Sequence, residues 1–186
     1  FGDGHARGGD DDLFRVRSGA VLILDAPLGA EHQVRHVARS PADAALASEI
    51  VFGQSWGTLL DVSNWGHVID SGVLATMEYA VETLDVPLIV VLGHEECQAV
   101  RAGMRAWDEA VIPDGATRTV VEKVMSSIVR RGVGAESIES VSSAHIVNTG
   151  LSLMEKSPLI ARHIDAGRCG IVCASVDPET GRLRSH

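Results

Sequence analysis

The sequence of 186 residues predicts an α/β fold with a mainly parallel central sheet flanked by helices. Three observations support this prediction. The apolar run Leu88–Leu92 is typical of a strand buried on both faces, as in parallel sheets. The segment before it, Gly72–Pro87, has apolar residues at helical spacing and ends in a proline. Another apolar run, Cys169–Ser175, follows further helical segments and predicts a closing strand.

The other elements follow from the same patterns. Ala20–Leu24 predicts a short strand, and the turn residues of Asp177–Gly181 predict a turn near the end of the chain. Apolar residues at helical spacing predict three further helices, within Arg101–Ala110, Thr119–Arg131 and Ser137–Met154. We expect residues 1–33 to form an N-terminal arm and irregular segment, and residues 34–186 to form a single domain.

Composition and charge restrict the function classes. Hydrophobic residues make up 45% of the chain and charged residues 22%, which is usual for a globular protein. The net charge of −9 argues against nucleic acid or an anionic membrane as a partner. No apolar run approaches the ~20 residues that cross a bilayer, and no signal peptide is visible. The chain has 3 cysteines without a disulfide pattern, which predicts the cytoplasm as its compartment: Cys97, Cys169 and Cys173.

The candidate site follows the Leu88–Leu92 strand. Gly93 is expected to let the backbone turn sharply at the end of that strand, where open α/β sheets build their sites. His94 and Cys97 come next, at a spacing that allows an imidazole and a thiolate to bind one soft metal ion. The alternative is an ordinary core strand followed by a helix, with an incidental histidine and cysteine.

Longer segments add to this motif. They are the helix before the strand, the run Gly93–Val100 with its Gly-His-x-x-Cys-x-Ala-Val pattern, Glu49–Gln54, Gly57–Val62, Gly66–Val68, His145 and Ser157–Gly167. Together they resemble the β-class carbonic anhydrases, zinc enzymes that hydrate carbon dioxide. The resemblance is continuous from Val34 to Arg182. It implies a β-carbonic-anhydrase-like fold with an N-terminal arm, and an obligate dimer with its site at the subunit interface.

The chain departs from the family at the first zinc-ligand motif, Cys-x-Asp-x-Arg. The resemblance places the family's first core strand at Val34–Pro41, so that an ungapped alignment on Glu49 sets the motif against residues 41–45. Asp43 is retained, but Pro41 replaces the ligand cysteine and Ala45 replaces the arginine that pairs with the aspartate. Proline offers zinc no donor atom. Asp43 would have to become a third ligand, and it would then no longer serve in proton transfer.

The ligand set is therefore in doubt. Only His94 and Cys97 remain as certain ligand types, which makes zinc a doubtful cofactor. Other positions indicate a reshaped pocket: Gln98, Ser63 and Trp65 stand where the resemblance implies different residues. His67 is either a structural residue bonded to backbone carbonyls or a proton shuttle in the pocket.

Three functions remain open. In the first, which we favour, the remodelled pocket runs small-molecule chemistry of a lyase or hydrolase type with weak or no hydration of carbon dioxide. Asp43, His94 and Cys97 would be its working residues, and Gln98 and Trp65 would shape the pocket. Cys97 would then be a metal ligand, or a nucleophile whose thiolate is stabilised by His94. In the second, Asp43, His94 and Cys97 hold zinc in an active carbonic anhydrase. The third is a non-catalytic binding scaffold. We expect an enzyme that acts on a small molecule or a bicarbonate-like anion, assembled as a homodimer or higher homo-oligomer.

Overall fold

The computed structural model describes residues 21–25 (backbone only), 51–52, 59–94, 97–132, 135, 137–177 and 180–186. The strands are β1 (Val21–Asp25), β2 (Leu59–Ser63), β3 (Leu88–His94), β4 (Gly170–Val176) and β5 (Leu183–Ser185). The helices are α1 (Ser71–Glu82), α2 (Gln98–Glu109), α3 (Thr117–Arg131), α4 (Ile138–Lys156) and α5 (Pro158–Asp165), and a short 3₁₀ turn spans Trp65–His67. The predicted α/β fold with a mainly parallel sheet flanked by helices is confirmed.

The sheet has the strand order β2-β1-β3-β4-β5. All neighbouring pairs are parallel except β4 and β5, which are antiparallel. β1 lies between β2 and β3, with Val21 opposite both Leu59 and Leu88. The strand predicted around Ala20–Leu24 is therefore an inner strand of the sheet, a place that the sequence did not assign to it.

This position of β1 bears on two predictions. The resemblance put the first core strand at residues 34–41, which lie outside the described residues; the strand next to β2 and β3 is Val21–Asp25 instead. The domain boundary between residues 33 and 34 stays a prediction, although β1, on its N-terminal side, belongs to the sheet.

β3 is buried on both faces, as its apolar run predicts. Ile89 and Val91 face a cluster that also contains Met77 of α1, Ile146 of α4 and Ile160 of α5. Val90 and Leu92 face the opposite side, where they pack with Ala174 and Val176 of β4. Burying each such side chain contributes about 1.5–3 kcal/mol. The strand that carries the candidate site is thus fixed from both faces and by its two neighbouring strands.

Three of the described helices, α1, α4 and α5, begin at side-chain caps. Asp70 Oδ1 accepts the Val73 amide of α1 at 2.9 Å, and the Ser137 side chain caps α4. Ser157 caps α5, and Pro158 lies in the first turn of this helix. The sequence placed this segment only by its resemblance to the family, and the structure shows that it is helical. α2 and α3 pack on α4 through a second apolar cluster, which includes Cys97.

β4 is not the last strand, because the chain turns back into the antiparallel β5. Asp177 stabilises the turn: its carboxylate accepts the Thr180 amide at 3.2 Å and the Thr180 hydroxyl at 2.7 Å. Gly181 has a φ of +67°. Of the two cysteines near β4, Cys169 is buried and Cys173 is partly buried. Burial raises the pKa of both thiols, that of Cys173 to about 11.

Candidate active site

The predicted pair His94 and Cys97 lies at the carboxyl edge of the sheet. His94 is the last residue of β3, opposite Val176 of β4, and is 5% exposed. Cys97 is the N-cap of α2 and is also 5% exposed. The imidazole contacts the sulfur. The strand end and the helix start thus bring the two side chains together, as the spacing predicts.

Gly93 has a different role from the predicted turn. It lies inside β3, and the structure gives it no positive φ. A Cβ at this position would lie 2.3 Å from Ile146 Cδ1 and 2.6 Å from Ile146 Cγ1. Gly93 is therefore needed because α4 packs directly against the end of the strand, and not because the backbone turns there.

The electrostatic setting of Cys97 favours a thiolate. Burial raises the pKa of the thiol, but the hydrogen bond and charge of His94 and the amides of Val100 and Ala99 together outweigh it, so the pKa lies below its ordinary value. Neither of these amides donates a capping hydrogen bond of normal geometry to the Cys97 sulfur. Their contribution is the positive end of the α2 dipole, which stabilises negative charge at a helix start.

The 3₁₀ turn holds two histidines beneath this pair. His67 is 2% exposed and donates from Nε2 to the Leu92 carbonyl at 3.0 Å. His145 is also 2% exposed, and its Nε2 donates to the Gly66 carbonyl at 3.0 Å. The two rings lie 5.8 Å apart. This geometry supports the structural alternative for His67, and it places His145 in the middle of α4.

The tautomer of His145 follows from its partners. Since Nε2 must carry the proton given to Gly66, Nδ1 accepts from the Ser127 hydroxyl at 2.9 Å. Asn148 Nδ2 in turn donates to Ser127 Oγ at 2.9 Å. Burial lowers the pKa of His145 to about 4. The network is therefore built around a neutral imidazole.

Acidification should destabilise the fold through His145. The unfolded state binds the proton below the ordinary pKa of 6.5, whereas the folded state resists it down to about 4. The stabilisation that neutral His145 gives the folded state is thus fully present above pH 6.5. It is lost as the pH falls toward 4, which lowers the free energy of unfolding by up to about 3 kcal/mol. Urea unfolding at pH 7, 5 and 4 should show that the free energy of unfolding falls more steeply with decreasing pH for the wild type than for His145→Gln. Equal slopes for the two proteins would contradict this role.

The other predicted pocket residues are not all brought to the pair. Ser63 is exposed at the end of the edge strand β2 and donates to Asp61 Oδ1 at 3.1 Å. Gln98 is exposed, so the prediction that its amide lines the pocket finds no support in the described residues. Trp65 is partly buried against the cluster that contains Cys97. Pro41, Asp43 and Ala45 lie outside the described residues, and their roles stay predictions.

The described residues supply two metal donors and no more. Among them, no group of three or more His, Cys, Asp or Glu side chains converges. The other thiols cannot complete the set, since Cys169 precedes β4 at the opposite end of the sheet and the Cys173 sulfur faces the Ile146 carbonyl at 3.8 Å. Zinc in proteins takes three or four side-chain ligands. His94 and Cys97 supply two of these ligands, and the predicted third ligand, Asp43, lies outside the described residues.

Sequence reasoning missed the serines around the pair. Ser142 of α4 is 7% exposed, and Ser175 of β4, opposite Gly93, is 8% exposed. A space of about 10 Å³ beside the sulfur is lined by His67, Gly93, His94, Cys97, Val100, Ser142, His145 and Ile146. The signal was present: α4 carries small polar residues at helical spacing on a buried face, namely Ser142, His145, Thr149 and Ser152.

Comparison with known proteins agrees with this architecture. A model of the carbonic anhydrase family matches residues 40–183. The carbonic anhydrase of Mycolicibacterium smegmatis is 42% identical over 147 residues, which are 77% of this chain and 71% of that protein. The chain belongs to the carbonic anhydrase family. Carbonic anhydrase 2 of Mycobacterium tuberculosis H37Rv is 41% identical over 148 residues, covering 78% of this chain and 72% of that protein.

Solved structures of β-carbonic anhydrases share the fold of this chain. The β-carbonic anhydrase CafA of Aspergillus fumigatus gives a TM-score of 0.69 at 15% identity, over 90% of this chain and 75% of that one. A tetrameric β-carbonic anhydrase of Sordaria macrospora gives a TM-score of 0.64 at 17% identity. The match covers 94% of this chain and 83% of that one. The resemblance drawn from the sequence is confirmed. Of the helices that the structure describes, none has the length and apolar character needed to span a membrane.

Proposed function

We propose that this member of the β-carbonic anhydrase family uses Cys97 and His94 as a thiol–imidazole pair on a small molecule, with weak or no hydration of carbon dioxide. One observation carries the proposal: the His94 imidazole contacts the Cys97 sulfur, and each residue is only 5% exposed. The replacement of the motif cysteine by Pro41 and of the motif arginine by Ala45 supports it. The chain is then an enzyme of a hydrolase or lyase type.

A hydrolytic cycle is chemically complete with these two residues. The Cys97 thiolate attacks a carbonyl carbon, a carbon–sulfur bond forms, and the leaving group departs with a proton from the His94 imidazolium. Neutral His94 then takes a proton from water, whose oxygen attacks the thioester and releases the acid and the thiolate. The start of α2 favours the thiolate that begins and ends this cycle.

A second candidate is an active zinc carbonic anhydrase that uses Asp43, His94 and Cys97. The relatives at 41% and 42% identity bear that name, which favours it. It requires Asp43 to take the place of the missing thiolate. The third, a non-catalytic scaffold, would leave the pair without a reaction.

We also propose a homo-oligomer, in keeping with the tetrameric structures from Sordaria macrospora. Exposed apolar side chains near the end of α2 support it: Trp107 is 41% exposed, Val111 62% and Ile112 40%. Such a patch is typical of a subunit interface. The cytoplasm remains the expected compartment.

Hydrolysis of p-nitrophenyl acetate tests the proposal. The wild type should release nitrophenolate above the buffer rate, and Cys97→Ser and His94→Gln should each lower that rate by about 100-fold or more. Cys173→Ser is the matched control and should retain the rate, because burial raises the pKa of that thiol to about 11. Rapid hydration of carbon dioxide with zinc bound would support the second candidate instead, and equal ester hydrolysis by Cys97→Ser would overturn the proposed nucleophile.

A further inference from the structure

A chamber of about 190 Å³ opens beside His94. It lies between the first turns of α4 and the β4–β5 hairpin, at the carboxyl edge of the sheet. Its walls are His94, Ile138, Glu139, Ser142, Ser143, Ser175, Arg184 and His186. One water molecule needs only about 10–15 Å³ of such volume. The chamber is therefore large enough for an organic molecule of several non-hydrogen atoms, well beyond carbon dioxide.

Ser142 joins this chamber to the thiol–imidazole pair. It lines both the chamber and the small space beside the Cys97 sulfur, as does His94. Its side chain is buried, and its hydroxyl finds no hydrogen-bond partner among the residues that the structure describes. A buried hydroxyl without a partner is unfavourable, and a ligand oxygen or N–H group in the chamber would satisfy it.

Two further hydroxyls are held in place by His186. Its Nδ1 lies 2.7 Å from Ser143 Oγ, and its Nε2 lies 3.0 Å from Ser175 Oγ. A neutral imidazole donates at one nitrogen and accepts at the other, so one serine accepts and the other donates. The backbone amide of His186 donates to the Cys173 carbonyl at 2.9 Å, which fixes the ring above β4. The chamber thus offers oriented donors and acceptors of both kinds.

The charges around the chamber cancel. Arg184 and Glu139 form an ion pair with each other. Burial and the nearby Arg184 lower the pKa of His186, against the opposing effect of Glu139, so the ring is neutral at pH 7. The chain as a whole carries a net charge of −9. An anion entering the chamber would meet no uncompensated positive charge and would approach a negatively charged protein.

We propose that this chamber binds the body of a small neutral carbonyl compound, an amide or ester, and presents its carbonyl group to the pair at His94. The proposal rests on the proposed function and names its substrate class. Ser142 would bind the carbonyl oxygen of the ligand, while the serines held by His186 would bind the nitrogen of its amide or the second oxygen of its ester. Bicarbonate and other small carboxylates are disfavoured as ligands of the chamber, because Glu139 already neutralises Arg184.

Propionamide and propionate are suitable probes, since they share shape and size and differ in charge. Saturation-transfer NMR on the full chain at pH 7 should show propionamide binding in the millimolar range, at least about threefold more tightly than propionate. Glu139→Gln frees the Arg184 guanidinium for a bidentate carboxylate contact, so propionate should then bind more tightly than propionamide. Glu122→Gln is the matched control. Glu122 pairs with Arg118 on the exposed face of α3, and its loss should leave propionamide the tighter ligand.

Ser142→Ala supplies the second test, because it removes the hydroxyl and adds no atoms to the chamber. It should weaken propionamide binding by about fivefold or more. Wild-type protein that binds neither probe, or that binds propionate better, would overturn the proposal. Equal propionamide binding by Ser142→Ala would do the same.

This readout is separate from catalysis. Propionamide binding that responds to Ser142 and Glu139, in a protein without Cys97-dependent ester hydrolysis, would uphold the chamber and overturn the proposed function. Ester hydrolysis that depends on Cys97, together with no selective binding of propionamide, would uphold the function and overturn the chamber.

Discussion

Protein purified from cells supplied with zinc should contain far less than one zinc per chain and should not hydrate carbon dioxide above the buffer rate. The described residues offer zinc only His94 and Cys97, and position 41, aligned with the missing cysteine, is a proline. Loss of a supporting group beyond the ligands already costs 10–100-fold in metal affinity, so loss of a ligand thiolate should cost more than about 100-fold. Elemental analysis paired with stopped-flow hydration measures both quantities. Zinc near one per chain with clear activity would contradict this expectation.

Restoring a thiolate should reverse the loss, and the choice of position tests the alignment. The double variant Pro41→Cys with Ala45→Arg follows the sequence alignment. The variant Pro27→Cys follows the sheet register instead: Asp25 pairs with Leu92, and position 27 is as far beyond Asp25 as His94 is beyond Leu92. Ser63→Cys adds a thiol at the end of the edge strand and serves as control. Zinc uptake by one of the first two, but not by the control, identifies the lost ligand position; uptake by neither would mean that a missing thiolate is not the cause.

Gly66→Ala should destabilise the protein strongly. Gly66 has a φ of +73°, and a Cβ there would lie 2.4 Å from Val120 Cγ1 and 3.2 Å from Ala99 Cβ. The Gly66 carbonyl also accepts from His145, so any shift of the turn disturbs the buried network. Backbone strain and overpacking together should cost about 2–4 kcal/mol, a fall in Tm of roughly 5–15 °C for a domain of this size. Thermal unfolding followed by circular dichroism measures it.

Gly132→Ala separates the two causes. Gly132 ends α3 with a φ of +62°, but none of the residues that the structure describes comes within 4 Å of a Cβ at this position. Its substitution should therefore show the backbone strain alone, about 1 kcal/mol. If Gly66→Ala cost no more than Gly132→Ala, the close packing of the turn against α2 and α3 would not be what requires glycine at position 66.

Local patterns in the sequence were sufficient for most elements. The helices α1, α2, α3 and α4 and the strands β3 and β4 lie where the spacing of apolar residues predicts them, because an apolar period acts within a few residues. The meeting of His94 and Cys97 was predictable for the same reason. They are three residues apart, and a strand end followed by a helix start sets their geometry.

Contacts between distant parts of the chain could not be predicted in this way. The position of β1 depends on pairing with strands more than 30 residues away, and an apolar run does not specify its partners. Gly93 was interpreted as a turn because its neighbour Ile146, on α4, is not visible in the local sequence. Gln98 is exposed on α2, and its predicted place in the pocket stays a prediction.

The sequence by itself thus determined the family, the order of most elements and the pair at the end of β3. Only the tertiary structure decided which polar groups surround that pair. His145 reaches the Gly66 carbonyl across 79 positions, and His186 reaches Ser143 across 43. Each of these contacts forms because two elements pack on the same edge of the sheet. Local sequence patterns record which residues are buried, but not which buried residues meet.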